Sequence, residues 1–168
     1  MSNEEQKMKR EIIRIGAHLS ELVTVLDSAG NTLHKVVRPL MIEFYLRDVI
    51  QVIVGATILA IPIAFTEEVW RLGAELPNRN IVYLFIMSVV FICLFVYHNF
   101  YREHLKTHWT EFIKRVISIY IISMLIVGII LFIINQAPLG LEWTITLKRM
   151  VIIAFPASMS AAVADMIK

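Results

Sequence analysis

Four long stretches of the chain carry almost no charge: Val49 to Thr66, Ile81 to Tyr97, Val116 to Gln136 and Met150 to Ala164. At 1.5 Å of rise per residue, each of the first three crosses most of a hydrocarbon core about 30 Å thick when helical. Hydrocarbon offers no partner to an exposed amide, so segments that span it close their hydrogen bonds internally, as helices. Composition points the same way. Of 168 residues, 58% are hydrophobic and 18% charged, where a soluble domain carries roughly a quarter charged residues. The lipid bilayer is therefore the first expected partner, and residues 47–168 form the expected membrane domain, leaving 1–46 as a separate N-terminal module.

The basic residues cluster at the ends of these stretches. Lys7, Lys9, Arg10, Arg14, Lys35, Arg38 and Arg47 precede the first, and Arg102, Lys106, Lys114 and Arg115 lie around the second connection. The first connection has Arg71 and Arg79 against Glu67, Glu68 and Glu75. By the positive-inside rule the N-terminus, the second connection and the C-terminus face the cytoplasm. Lys148 and Arg149 run against this scheme, which still leaves twelve basic residues inside to four outside. A net charge of +2 without a basic stripe excludes nucleic acid as the expected partner. The first 47 residues lack a cleavable signal pattern, so the first span is expected to act as an uncleaved anchor. Cys93, the sole cysteine, lies mid-span and is expected to pack as a neutral side chain.

In the N-terminal module, Met8, Ile12, Ile15, Leu19, Leu22 and Leu26 step by fours and threes, which predicts a short amphipathic helix. Gly30-Asn31 offers a turn between Val23–Leu26 and Thr32–Val37, both rich in β-branched residues, so a hairpin competes with the helix for residues 23–26. After Arg38-Pro39, residues 40–47 read as a helix feeding the first span. Gly73, Pro77 and Asn78 give the first connection a loop composition, while Trp70, Trp109 and Trp143 sit where indoles favour the interface. The expected fold class is all-α: a four-helix antiparallel transmembrane bundle, N-in and C-in.

Along the first span Asp48, Gln51, Gly55, Ile58, Pro62 and Thr66 share one helical face. Polar and small residues in a row avoid acyl chains, so this face is expected to meet protein or water. It is either a close helix contact through Gly55 or the wall of an ion path solvated by Gln51. Glu67 and Glu68 follow, either solvated or, in a symmetric oligomer, a carboxylate ring that gathers cations. In the fourth span Ala154, Ala157, Ser158, Ala161 and Ala162 are small and predict a buried packing helix, with Arg149 and Lys168 reaching back to water. Asp165 is either half of a solvated pair with Lys168 or a cation contact inside the bundle. Ala60–Ala64 and Ala154–Ser158 hold similar proline-centred pieces, too short to define a repeat. His104, His108 and Glu111 share a face but lack the fourth ligand of a structural zinc site, so no metal and no cofactor is expected. Catalytic signatures are absent from the sequence and an enzyme is not expected.

The stretch Leu46 to Gly73 resembles the core of a bacterial family of integral membrane proteins of unknown function. Its carriers are Arg47, Gly55-Ala56, Pro62, Glu68-Val69-Trp70 and Leu72-Gly73, joined by Phe155-Pro156-Ala157-Ser158 in the fourth span. The resemblance implies a multi-span bacterial inner-membrane protein and no defined activity. The functional expectation is a homo-oligomeric cation channel or small-ion transporter, with Gln51, Pro62, Thr66, Glu67, Glu68 and Asp165 along the path. The alternative is a non-conducting sensory or scaffolding module that recruits a cytosolic partner through its N-terminal segment.

Overall fold

The computed structural model describes residues 7–15, 18–26, 32–39, 44–102, 108–138 and 142–167. The chain divides into two compact units, Met1–Glu43 and Phe44–Lys168. In the first, strands β1 (Lys7–Ile15), β2 (His18–Leu26) and β3 (Thr32–Pro39) form an antiparallel sheet in the order β1-β2-β3. The register pairs Ile12 with Glu21 and Val23 with both Arg10 and Val36, and a bulge interrupts β2 against β3 at Val25/Leu26.

The sheet corrects the expectation of an amphipathic helix over residues 8–26. Steps of three and four come partly from counting through Gly16, which weakens a helix interior by roughly 0.5–1 kcal/mol relative to alanine. The runs on either side, with Ile12, Ile13, Ile15, Val23 and Val25, are β-branched and pair more readily than they coil. The hairpin expected between Val23–Leu26 and Thr32–Val37 is present as the pairing of β2 with β3. Gly30-Asn31 and residues 40–43 lie outside the described residues.

The second unit is a bundle of α1 (Leu46–Ala64), α3 (Asn78–Val96), α4 (Trp109–Ile133) and α5 (Trp143–Met166), with a short helix α2 (Glu67–Glu75) in the first connection. The four long helices are each long and apolar enough to cross a membrane, α3 being prolonged to Tyr101 by a π-helical turn. Their outward faces carry Ile53, Val54, Ile58, Val82, Phe85, Ile121, Leu125, Ile129 and Phe132, all exposed. So large an apolar surface is compatible with lipid and not with water.

Helix α5 lies at the centre and packs on α1, α2, α3 and α4. Its small residues make this possible: Ala154, Ala157, Ser158 and Ala161 are wholly buried. Gly55 of α1 meets it backbone to backbone, since a Cβ there would lie 2.8 Å from Ser160 O and 2.9 Å from Ala161 Cα. Ser88 of α3 and Ser158 of α5 share a buried hydrogen bond of 2.9 Å. Helix α4 ends in a Schellman cap: Asn135 takes a φ of 58° and Gln136 N donates to Leu131 O at 2.8 Å.

Helix α2 occupies part of what reads as a loop. Thr66 ends the first span through its hydroxyl bond to Ile63 O at 2.7 Å, and Val69 and Gly73 of α2 are buried. A Cβ at Gly73 would run into Arg149 Cγ, so glycine lets α2 lie against α5.

Candidate functional site

Three helices converge on one guanidinium. Arg115 belongs to the second turn of α4, Asp48 to the first turn of α1 and Asp165 to the last turn of α5, and all three side chains are wholly buried. Arg115 Nε donates to Asp165 Oδ2 at 2.8 Å and a terminal nitrogen donates to Asp165 Oδ1 at 3.2 Å. The same nitrogen reaches Asp48 Oδ2 at 3.4 Å, and that oxygen also accepts from Tyr45 N at 3.0 Å, closing the N-terminus of α1. The planar fork of arginine suits a two-point grip on one carboxylate, a geometry lysine lacks.

Aromatic rings wall the cluster. The Phe100 ring centroid lies 3.8 Å from Arg115 Cζ and that of Phe44 lies 5.7 Å away. Tyr101 is wholly buried and packs edge-on against Phe112 with centroids 5.4 Å apart. Phe100 and Tyr101 reach this position from the π-helical turn at the end of α3, where the chain widens by about one residue. Asn99 Nδ2 covers the Phe95 carbonyl in that turn at 2.8 Å. The low-polarity walls strengthen every interaction within the cluster, and they make any loss of a partner expensive.

Asp165 was expected either in a solvated pair or inside the bundle; it is inside, tied to Arg115, while Lys168 lies outside the described residues. Asp48 belonged to the polar stripe without a role of its own, and Arg115 counted only as an orientation signal. A sequence signal for Arg115 existed. It begins the row Arg115, Ile119, Ser123, Val127 and Leu131, all buried at four-residue intervals.

The remaining stripe on α1 divides. Gly55 is buried, whereas Ile58 is 62% exposed and Pro62 is exposed. The face is thus covered by α5 at Gly55 and open at Ile58 and Pro62. The buried row is Asp48, Val52, Ala56, Ala60 and Ala64, because the smallest side chains admit the closest approach of α5. Gln51 Nε2 donates to Ile167 O, joining α1 to the residue that follows α5. Among the described residues, Gln51 Oε1 is buried without a hydrogen-bond partner.

Glu67 and Glu68 are exposed in the first turn of α2, beside Trp70 and Arg71, where a helix N-terminus favours negative charge. At this opposite end of the bundle a second basic residue is engaged inward. Arg149 donates to Gln136 O at 2.7 Å, to Gln136 Oε1 at 3.2 Å and to Trp70 O at 3.3 Å, and Lys148 Nζ donates to Leu76 O at 2.8 Å. Trp70 Nε1 in turn donates to Ala64 O at 2.7 Å. Lys148 and Arg149 thus bond to carbonyls of α2, of its C-terminal cap and of Gln136 just after α4, which accounts for their departure from the charge distribution of the other basic residues. Arg149, half-buried, bonds to these carbonyls.

One family model matches residues 14–167, nearly the whole chain; the family is described as "Putative integral membrane protein (DUF2391)". The chain belongs to this family. Its four apolar helices and the family description agree that it is an integral membrane protein. No curated protein and no solved structure gives a significant match.

Proposed function

We propose that this DUF2391 protein is a homo-oligomeric small-cation transporter of the bacterial inner membrane, with the Asp48–Arg115–Asp165 cluster as its coupling site. The observation that carries this reading is the complete burial of one guanidinium between carboxylates from two other helices. Ionisable groups at membrane depth are costly and mark ion pathways and proton relays. Arginine keeps its proton, so the exchangeable partners are the carboxylates. A cation entering beside Asp48 or Asp165 competes with Arg115 for them. Success loosens the tie among α1, α4 and α5 at one end of the bundle, a discrete rearrangement of the kind that couples binding to movement. By the distribution of basic residues this end is cytoplasmic. A packed bundle of this size leaves little room for a conduit, so the path runs between protomers, with Thr66, Glu67 and Glu68 at its far end.

Proteoliposomes test this. The wild type should carry K+, Na+ or H+ down an imposed gradient, and Asp165→Asn, if it elutes as wild type does, should lose most of the flux. No flux under any of the three gradients overturns the proposal.

A second reading is favoured by the three-stranded sheet. Within its own unit β3 is an edge strand, with Val37 exposed, and an edge strand is a surface on which a partner adds a strand. On this reading, deletion of residues 1–38 abolishes partner capture, and flux is absent in the intact protein as well.

A further inference from the structure

The end of α3 departs from helical spacing at the point where it reaches the buried cluster. Ser88, Ile92 and Val96 are buried at intervals of four, but the next buried residue is Tyr101, five further on. At about 100° per residue, an unbroken α-helix would turn Tyr101 about 140° away from Val96. The π-helical turn Tyr97–Tyr101 removes that rotation by taking in one extra residue. Tyr101 thereby stays in the buried row against Phe112, and Phe100 comes to rest on Arg115 with its ring centroid 3.8 Å from Cζ. Phe100 is half-buried while Arg115 and Asp165 are wholly buried, so this ring covers one face of the guanidinium.

The order Asn99-Phe100-Tyr101 fits the same place in a second register. Closing the turn to an α-helix moves each of these residues on by one position. Asn99 then comes to where Phe100 lies, and Phe100 to where Tyr101 lies, so an aromatic ring packs on Phe112 in both registers. What changes is the group on Arg115, an apolar ring in one register and a carboxamide in the other. The carboxamide oxygen accepts hydrogen bonds from a guanidinium, which gives Arg115 a partner at the moment a cation takes its carboxylates. In the π register Asn99 is exposed, and its Nδ2 donates to Phe95 O at 2.8 Å, four residues back on its own helix. That bond belongs to the turn itself and is given up without disturbing another helix.

We infer that the π turn is a one-residue register switch that regulates the Asp48–Arg115–Asp165 site: the π form shields Arg115 with Phe100, and the α form puts Asn99 in its place and admits a cation. This rests on the reading of the cluster as a coupling site. The resting protein holds the π form because Phe100 stacks on a desolvated guanidinium. A cation that draws Asp165 away from Arg115 favours the α form, where the guanidinium regains an acceptor. The turn is thus a two-state element whose balance the cation shifts.

The experiment replaces Phe100 of the full chain by 4-fluorophenylalanine and reads fluorine saturation-transfer spectra in detergent, which detect slow exchange between environments. The otherwise wild-type protein should show a main environment over the guanidinium and a second populated at roughly 1%. Asp165→Asn loosens Arg115 and should raise the second about tenfold. Deleting Asn99 removes the extra residue, leaves Phe100 and Tyr101 in their present places on an α-helix, and should abolish the second environment. Asn99→Leu keeps the length but brings no acceptor to Arg115 and should abolish it too, so the test does not depend on the deletion variant folding. A single environment in both the wild type and Asp165→Asn, or an unchanged second environment in Asn99→Leu, overturns the proposal. The spectra require no gradient. Two environments in a protein that carries no cation leave the switch standing and remove only the transport reading, whereas flux with a single environment removes only the switch.

Discussion

Replacing Arg115 by methionine isolates the energetics of the buried cluster. Methionine retains most of the apolar stem, so the change removes chiefly the charge and its donors. Lost are the two bonds to Asp165 at 2.8 and 3.2 Å, the contact to Asp48 at 3.4 Å and the stacking on Phe100 at 3.8 Å. Removing one partner of a buried pair costs about 3–5 kcal/mol, because the carboxylates stay enclosed without their cation. The ring contribution, about 2 kcal/mol when desolvated, acts in the same direction. Together these make about 5–7 kcal/mol, and at about 2–4 °C per kcal/mol for a chain of this size Arg115→Met should melt roughly 10–28 °C below wild type. The assay is retention of monodisperse elution after heating in detergent, at one fixed scan rate because membrane-protein unfolding is commonly irreversible. The triple variant Arg115→Met/Asp48→Asn/Asp165→Asn removes the stranded charges and should recover at least half of the loss. An Arg115→Met variant within about 2 °C of wild type, or a triple variant falling further than the single one, refutes the reasoning.

Further outcomes follow from the same geometry. Asp165→Asn should destabilise more than Asp48→Asn, since Asp165 takes the two shorter bonds of the guanidinium; paired melting curves decide the order. Gly55→Ala places a Cβ against the α5 backbone at Ser160 and Ala161 and should cost about 1–3 kcal/mol, whereas Gly128→Ala, facing only Met150, should be nearly neutral in the same assay. Ser88→Ala should cost about 0.6 kcal/mol and at most about 1.7 kcal/mol, the range for interhelical hydrogen bonds in membranes. Arg149→Met should free Gln136 O and Trp70 O and raise amide exchange in α2 while α1 and α3 stay protected.

Hydropathy made the spans readable from sequence because the solvent sets their length and composition. It placed the start of α5 too late, at Met150, because Lys148 and Arg149 read as the end of an apolar run. They lie inside a helix that begins at Trp143, and their charges are met by carbonyls of α2 and of the α4 terminus. The same ambiguity hid Arg115. A basic residue near a span end has the same sequence whether it points at headgroups or inward, and only the convergence of α1, α4 and α5 separates the two. Small residues were more informative: alanine and serine at four-residue spacing in α5 have little to gain from facing lipid, and Ala154, Ser158 and Ala161 are buried. Pro62 and Ile58 follow Gly55 at helical spacing, yet α5 crosses α1 along the alanine row and leaves them outside. In the N-terminal unit the obstacle was periodicity itself. Mixed steps through Gly16 imitate a helix, while the pairing that stabilises β1 and β2 is a property of two segments and is invisible to a scan of one.

Amide hydrogen exchange in proteoliposomes, read in the first turn of α1 and the last turn of α5, tests most directly whether the buried cluster is a cation-operated tie. With the transported cation present, exchange in both turns should quicken in the wild type and remain unchanged in Asp165→Asn. A wild type that carries a cation while both turns keep the same protection with and without it would contradict the account.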